Sequence, residues 1–442
     1  MPHQVAVTVR APIADGNGGD LSRLLASMGR QGAAHNDVLP IGHLPGVHFA
    51  RLFVLEETAD LDGATLPASL FYMADVDGSA DRHLRDLSTV TGDGVDAVFA
   101  HCDGYPEDPT ATARVTWLRD HQVAPAATYV HAVGRSVDQV HQEARLREAI
   151  EQFVDRPAAI PSQLTAVEAH GRIRAFATDR DDLLWSVRRA PRPGLRFRVG
   201  EAIHRVALPL LALCLLPVLV PVVLVAALRI RLAERHDVAE TGPPAPEHAH
   251  ELERHEDFGA QNSFTAVGFV KPGKVRRLTM RAVLIGLDYA DRHVYNRDHL
   301  AGVRSIHFAR WVPIDDGRRL VFCSSYDGTL ESYMDDFIDR LAWGLNAVFS
   351  NGVGYPRTRW LIFGGAKDEQ TFKDYLRCHQ LETSVSYAAH PSLTMANIRA
   401  SLAKMADGML PVIDTEVQLA DFERGLKRLE SRAVFGKIIV HF

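Results

Sequence analysis

Two places in the chain combine residue types that could do chemistry: His48 with Arg51, and His307 with Arg310, each inside the tetrapeptide HFAR. An imidazole can pass protons near neutral pH, and a guanidinium can hold an anion with a fixed fork of donors. Asp77 and Asp327, each followed by glycine, add a carboxylate to each set. Arg51, Asp77, Arg310 and Asp327 are therefore the catalytic candidates, and His48, His307, His121 and His379 the candidate ligand- or cofactor-binding residues. In an extended strand side chains alternate between faces, so His and Arg three apart point to opposite sides unless a bulge intervenes. Phe49, Phe53 and Leu55 on one face and Ala50, Leu52 and Val54 on the other are apolar, so both faces are expected to be buried. A buried arginine needs a partner, and Asp77 or Asp327 is the expected one. Two readings stay open: an internal ion pair or hydrogen-bonded His that fixes the core, or a polar site between two sheets.

The other candidates have plainer readings. An Asp-Gly pair between a strand and a helix caps the helix with Asp and uses Gly for the tight turn. His121 and His379 fall near the expected C-terminal ends of helices, where the dipole favours imidazolium. The pairs Cys378-His379 and His101-Cys102 lack metal-ligand spacing, and His248, His250 and His255 sit in an acidic run that reads as solvated. No metal site is expected. No P-loop, HExxH, kinase or hydrolase signature occurs, and no nucleophile–base constellation.

The elements that must position these residues come twice. HFAR at His48–Arg51 returns at His307–Arg310, VDGS at Val76–Ser79 returns as YDGT at Tyr326–Thr329, and VFAHCDGYP at Val98–Pro106 returns as VFSNGVGYP at Val348–Pro356. LRDHQ at Leu118–Gln122 returns as LRCHQ at Leu376–Gln380, and Tyr129 matches Tyr387. This is an internal duplication. Alternation and apolar runs predict strands over 4–11, 47–55 and 68–74, with helices near 21–28 and from 79. In the second copy they predict strands over 263–270, 305–314 and 319–325, and helices over 275–296 and 330–349.

Strand, helix, strand, strand, helix, strand is the split-βαβ, ferredoxin-like order, whose open sheet face a second copy could cover. The fold class read from this is α+β: two tandem ferredoxin-like repeats, residues 1–155 and 263–409, with a Pro-interrupted membrane-inserting segment between them. The chain resembles the superfamily of α/β barrels that includes dye-decolourising peroxidases and chlorite dismutases. That resemblance implies a haem-dependent oxidoreductase acting on a lipophilic substrate, with the Asp of a GxxDG motif on the peroxide side of haem. Here Ala74 and Ser324 stand where the first glycine would be.

Val206–Leu228 has no charged and no strongly polar side chain, and at about 1.5 Å per residue it could cross the roughly 30 Å core of a bilayer. Pro209, Pro217 and Pro221 interrupt it. Arg188, Arg189, Arg192, Arg196, Arg198 and Arg205 precede it, and Arg229, Arg231 and Arg235 follow. Basic residues at both ends suit a kinked segment that enters the cytoplasmic leaflet and returns, held by anionic headgroups. If the segment instead spans, the larger N-terminal group of arginines would lie inside.

With 49 basic and 55 acidic side chains the chain is near charge balance, so no nucleic-acid footprint is expected. The four cysteines are scattered, which fits a reducing compartment, and the first residues lack a signal-peptide pattern. Residues 156–236 read as a connector, and 237–262, with GPPAP and an acidic His-containing run, as a solvated linker. The tail 410–442 resembles the C-terminal end of medium-chain NAD(P)H-dependent reductases in PVID, LADFERGLKRLES and GKIIV. No GxGxxG precedes it, so a nicotinamide-dependent reductase is the weaker alternative.

These features predict a membrane-anchored protein on the cytoplasmic side of the cell membrane. An internal pocket between the repeats would bind an apolar small molecule or lipid, or the protein would scaffold a partner. The alternative is the haem enzyme.

Overall fold

The computed structural model describes residues 4–156, 166–187, 199–200, 203–240, 242–254, 256–257, 259–294, 300 and 302–399, together with the strands 413–418 and 437–441. The chain is α+β, with antiparallel sheets carrying helices. It divides into two compact units, Met1–Val137 with Gly194–Thr394, and Asp138–Pro193 with Met395–Phe442.

The first unit holds both copies. In the first copy β1 (Gln4–Pro12), α1 (Gly18–Gln31), β2 (Val47–Leu55) and β3 (Ser69–Asp77) are followed by α2 (Ala80–Val90), α3 (Gly92–Phe99), α4 (Ala111–Asp120) and β4 (Ala127–Val130). Each helix forms where apolar side chains recur at helical spacing; α1 buries Leu21, Leu25 and Met28 along one stripe. After the apolar segment the second copy supplies β5 (Gln261–Phe269), α10 (Lys274–His293), β6 (Ile306–Ile314), β7 (Arg319–Asp327), α11 (Leu330–Phe349), α12 (Glu369–His379) and β8 (Val385–Ala388).

The copies exchange their last strands. One sheet runs β1-β3-β2-β8 and the other β4-β6-β7-β5. Thus β8 of the second copy pairs antiparallel with β2, and β4 of the first pairs with β6. Helices back each sheet: Val9, Leu52, Tyr72 and Val76 pack with Leu21, Leu84 and Phe99, and Phe264, Phe322 and Tyr326 pack with Leu284, Tyr333 and Phe372.

The opposite faces of the two sheets meet each other. Phe53, Leu55, Phe71 and Met73 from one sheet and Val312, Ile314, Val321 and Cys323 from the other form a single buried cluster. Phe53 stacks on Phe71 at 4.9 Å. Fully burying side chains of this size stabilises by about 1.5–3 kcal/mol each. Strand β2 is therefore apolar on both faces because both are covered.

Between the copies lie α7 (Leu208–Cys214) and α8 (Leu216–Ala233). Pro217 sits in the first turn of α8, where its missing N–H costs little, and Pro221 lies inside the helix. Leu213–His236 is long and apolar enough to cross a membrane, with mean hydropathy 2.6 and 6% of its most apolar window buried. Val218 and Leu224 are 65% and 63% exposed.

The segment expected to be a solvated linker is attached to the body. Asp237 accepts from Lys271 Nζ and Arg276 Nη2, each at 2.7 Å. The short helix α9 (Pro246–Glu253) buries Leu252, and buried Glu256 accepts from Arg377 at 2.7 Å. Charged composition suggested solvation, but these carboxylates have cations of the second copy as partners.

In the second unit α5 (Val137–Val154) and α6 (Ala166–Thr178) pack through Leu146, Ile150, Ile173 and Ala177. The tail strands β9 (Ile413–Gln418) and β10 (Lys437–His441) pair in parallel. The helix expected between them lies outside the described residues.

Candidate functional site: a duplicated polar cluster between the sheets

A bulge decides where the histidines point. In β2 the pairing with β3 shifts between Val47 and Phe49, so His48 is an extra residue; in β6 the same shift falls between Ile306 and Phe308, at His307. A bulge locally resets the alternation of faces. His48 thus lies against Phe308 (ring centroids 5.3 Å), and His307 against Phe49 (5.2 Å), both on the inter-sheet side that Arg51 and Arg310 also occupy. The strict alternation that would have separated His from Arg does not hold.

Each arginine crosses into the opposite sheet. Arg51 donates to Phe264 O (2.8 Å), Thr265 Oγ1 (3.1 Å), Ser324 O (3.0 Å) and Ser325 Oγ (2.8 Å). Arg310 donates to Val7 O (2.7 Å) and Thr8 Oγ1 (3.2 Å), and it pairs with Asp75. Both guanidiniums are buried, at 4% and 3% exposure. Burial pushes the pKa of Arg51 down, and the neighbouring Arg310 adds to this, while Cys323 and Asp75 oppose it.

The expected partnership with Asp77 or Asp327 is replaced by a different one. His48 Nε2 lies 3.1 Å from Asp77 Oδ1, and His307 Nε2 lies 2.7 Å from Asp327 Oδ1. Asp77 Oδ2 also accepts from the Val137 N–H at 2.9 Å. Nor do these aspartates cap the helices. Ser79 and Thr329 do so, accepting from Arg82 N and Ser332 N, while Gly78 (φ 93°) and Gly328 (φ 79°) make the left-handed turn.

His390 completes the cluster. Its ring lies 6.1 Å from His48, 6.0 Å from His307 and 5.7 Å from Phe49. The repeat gave no signal for it, because the position matching it in the first copy is Ala132. His121 and His379 lie apart from this cluster, at the ends of α4 and α12. Each Nδ1 donates to the carbonyl one turn back, Trp117 O and Tyr375 O, at 2.8 Å, and each ring packs on that aromatic. They act as C-terminal caps.

Between the sheets, where an internal pocket was expected, Phe53, Phe71, Val312, Val321 and the two arginines pack together. A cavity of about 240 Å³ lies instead at the seam of β5 and β8, lined by Glu256, Asn262, Gln380 and Thr383. Its wall is polar. The pocket beside His379, at about 30 Å³, holds about one water molecule.

The four histidines expected to bind a ligand or cofactor are bonded within the protein: the Nε2 atoms of His48 and His307 meet carboxylates, and the Nδ1 atoms of His121 and His379 meet helix carbonyls. Among the described residues no three His, Cys, Asp or Glu side chains form a metal-holding group. Arg188, Arg189, Arg192, Arg196, Arg198 and His255 lie outside the described residues, as does the side chain of Arg205. Arg229 and Arg235 are exposed, and Arg231 sits 3.3 Å from Glu234.

No family model, no curated protein and no solved structure matches this chain.

Proposed function

We propose that this is a membrane-anchored scaffold on the cytoplasmic face of the cell membrane. Two tandem ferredoxin-like repeats form a rigid body that binds lipid or holds a partner at the bilayer. The inter-sheet cluster is its structural clamp: fully bonded guanidiniums and His–Asp pairs fix the two sheets together. Such a cluster, buried and hydrogen-bonded within the protein, supports a structural role for these residues.

The observation that carries the reading is the exposed apolar segment, both of whose ends are fastened to α10. His204 O accepts from the Tyr289 hydroxyl at 2.6 Å and its ring stacks on His293 at 4.1 Å, while Asp237 is held by Arg276. Tyr289 and Arg276 are separated by about 20 Å of helical rise, whereas one straight helix from His204 to Asp237 would measure about 50 Å. Attachment at both ends supports a segment that bows into the bilayer and returns, with Pro217 and Pro221 near its middle.

Two measurements on intact membranes test this. After an alkaline wash the protein should remain in the membrane pellet, and lipid should co-purify with it in detergent. Protease added from the cytoplasmic side should reach residues in both 1–137 and 300–394. A protein released by salt alone, or copies in different compartments, would overturn the reading.

A further inference from the structure

The two copies differ by an insertion placed where the apolar helix docks. Leu118 follows Pro106 by twelve residues, but Leu376 follows Pro356 by twenty. The additional residues include a two-stranded hairpin, Thr358–Arg359 paired with Phe363–Gly364. The first copy has the acidic Glu107-Asp108 after its GYP, whereas the second has Arg357, Arg359, Trp360 and Phe363 in the inserted stretch.

The hairpin is fastened to α8. Glu234, just past the end of α8 and 4% exposed, accepts from Thr358 Oγ1 (3.0 Å), Trp360 N (2.9 Å) and Leu361 N (2.7 Å). Trp360 and Leu361 both adopt left-handed backbone (φ 56° and 69°), a conformation disfavoured for residues with a Cβ and kept only where the surroundings impose it. Asn346 holds the base, donating to Ile362 O (3.0 Å) and Gly364 O (2.8 Å). Its counterpart in the first copy, Asp96, pairs with Arg114 instead. Held this way, the hairpin keeps Trp360 45% and Phe363 56% exposed, with Arg357 and Arg359 also exposed.

We infer that this hairpin is a second membrane contact. Trp360 and Phe363 lie at the boundary between headgroups and acyl chains, and Arg357 and Arg359 meet anionic headgroups. Amphipathic aromatic rings favour that depth, and basic residues near it are drawn to anionic lipid. Glu234 couples hairpin to helix, so the two enter the lipid as one piece and set the tilt of the body against the surface. This inference rests on the bilayer reading of Leu213–His236 given above.

The test uses full-length protein reconstituted into vesicles of phosphatidylcholine and phosphatidylglycerol, with lipids brominated near the head of the acyl chain. Bromine quenches tryptophan at that depth. W360F should lose at least half of the quenchable emission of the wild type while staying in the vesicles after an alkaline wash. Equal quenching in W360F and wild type, with both retained, would overturn the hairpin contact and leave the bilayer reading standing. If neither protein withstands the wash, the bilayer reading fails and the hairpin contact with it. R357Q/R359Q should lower the quenching by phosphatidylglycerol vesicles toward that of pure phosphatidylcholine; an unchanged value removes the headgroup role.

Discussion

Arg310 buries its guanidinium against a carboxylate, whereas Arg51 donates to hydroxyls and backbone carbonyls. The two arginines are repeats of each other, and so are most of their partners: Thr8 matches Thr265, each four residues along its strand from a matching glutamine. The asymmetry is Asp75 in the first copy against Ser325 in the second, each two residues before the shared Asp-Gly. One carboxylate therefore serves two neighbouring buried cations. A duplicated fold can keep its geometry while its charge ledger drifts, because hydrogen bonds to neutral acceptors satisfy the fork of an arginine without cancelling its charge.

Mutations that break this contrast should differ in size. R310A leaves Asp75 buried with its counter-ion gone, and should cost about 3–5 kcal/mol in chemical denaturation. R51A strands only neutral acceptors, so its cost should be smaller, about 2 kcal/mol. Equal costs would mean that Asp75 matters no more to its arginine than Ser325 does. A pH series sharpens the contrast between the copies. Burial pushes His83 of the first copy down to about 4 and Asp291 of the second up to about 8. Folded His83 holds its proton less tightly than the unfolded chain, so its contribution makes stability rise from pH 4 to about 6.5, by roughly 3 kcal/mol. Asp291 holds its proton more tightly when folded, so its contribution makes stability fall as pH rises from about 4 to about 8. H83Q should flatten the first slope and D291N the second, read from denaturation midpoints across pH. The smallest effect is expected from S325D, which gives Arg51 the carboxylate its twin has. It should raise stability by about 1 kcal/mol, and a loss would show that the second site tolerates no charge.

Much of this architecture could be read in the residues. Val47–Leu55 and Leu330–Phe349 form the strand and helix that apolar periodicity marks. The repeated HFAR and Asp-Gly motifs named the groups that meet between the sheets. What stayed hidden depends on pairing rather than pattern. The bulges at His48 and His307 exist only in the register of β2 and β6 with their neighbours, so alternation counted along one strand put the imidazoles on the wrong side. The crossing of Arg51 into β5 and β7 needs the partner sheet in place. Asp237 and Glu256 looked solvated because charge in sequence carries no record of the Lys271, Arg276 and Arg377 that neutralise them.

The exchanged fourth strands bear on how the protein is made. Strand β2 is complete once residue 55 has left the ribosome, yet its neighbour β8 is synthesised only at 385–388. For most of translation the first sheet has an open edge, the kind of surface that recruits strands from other chains. A prematurely terminated chain would keep that edge for its lifetime. Completing the first sheet is thus a late event, with the greasy connector already emerged before either sheet is sealed.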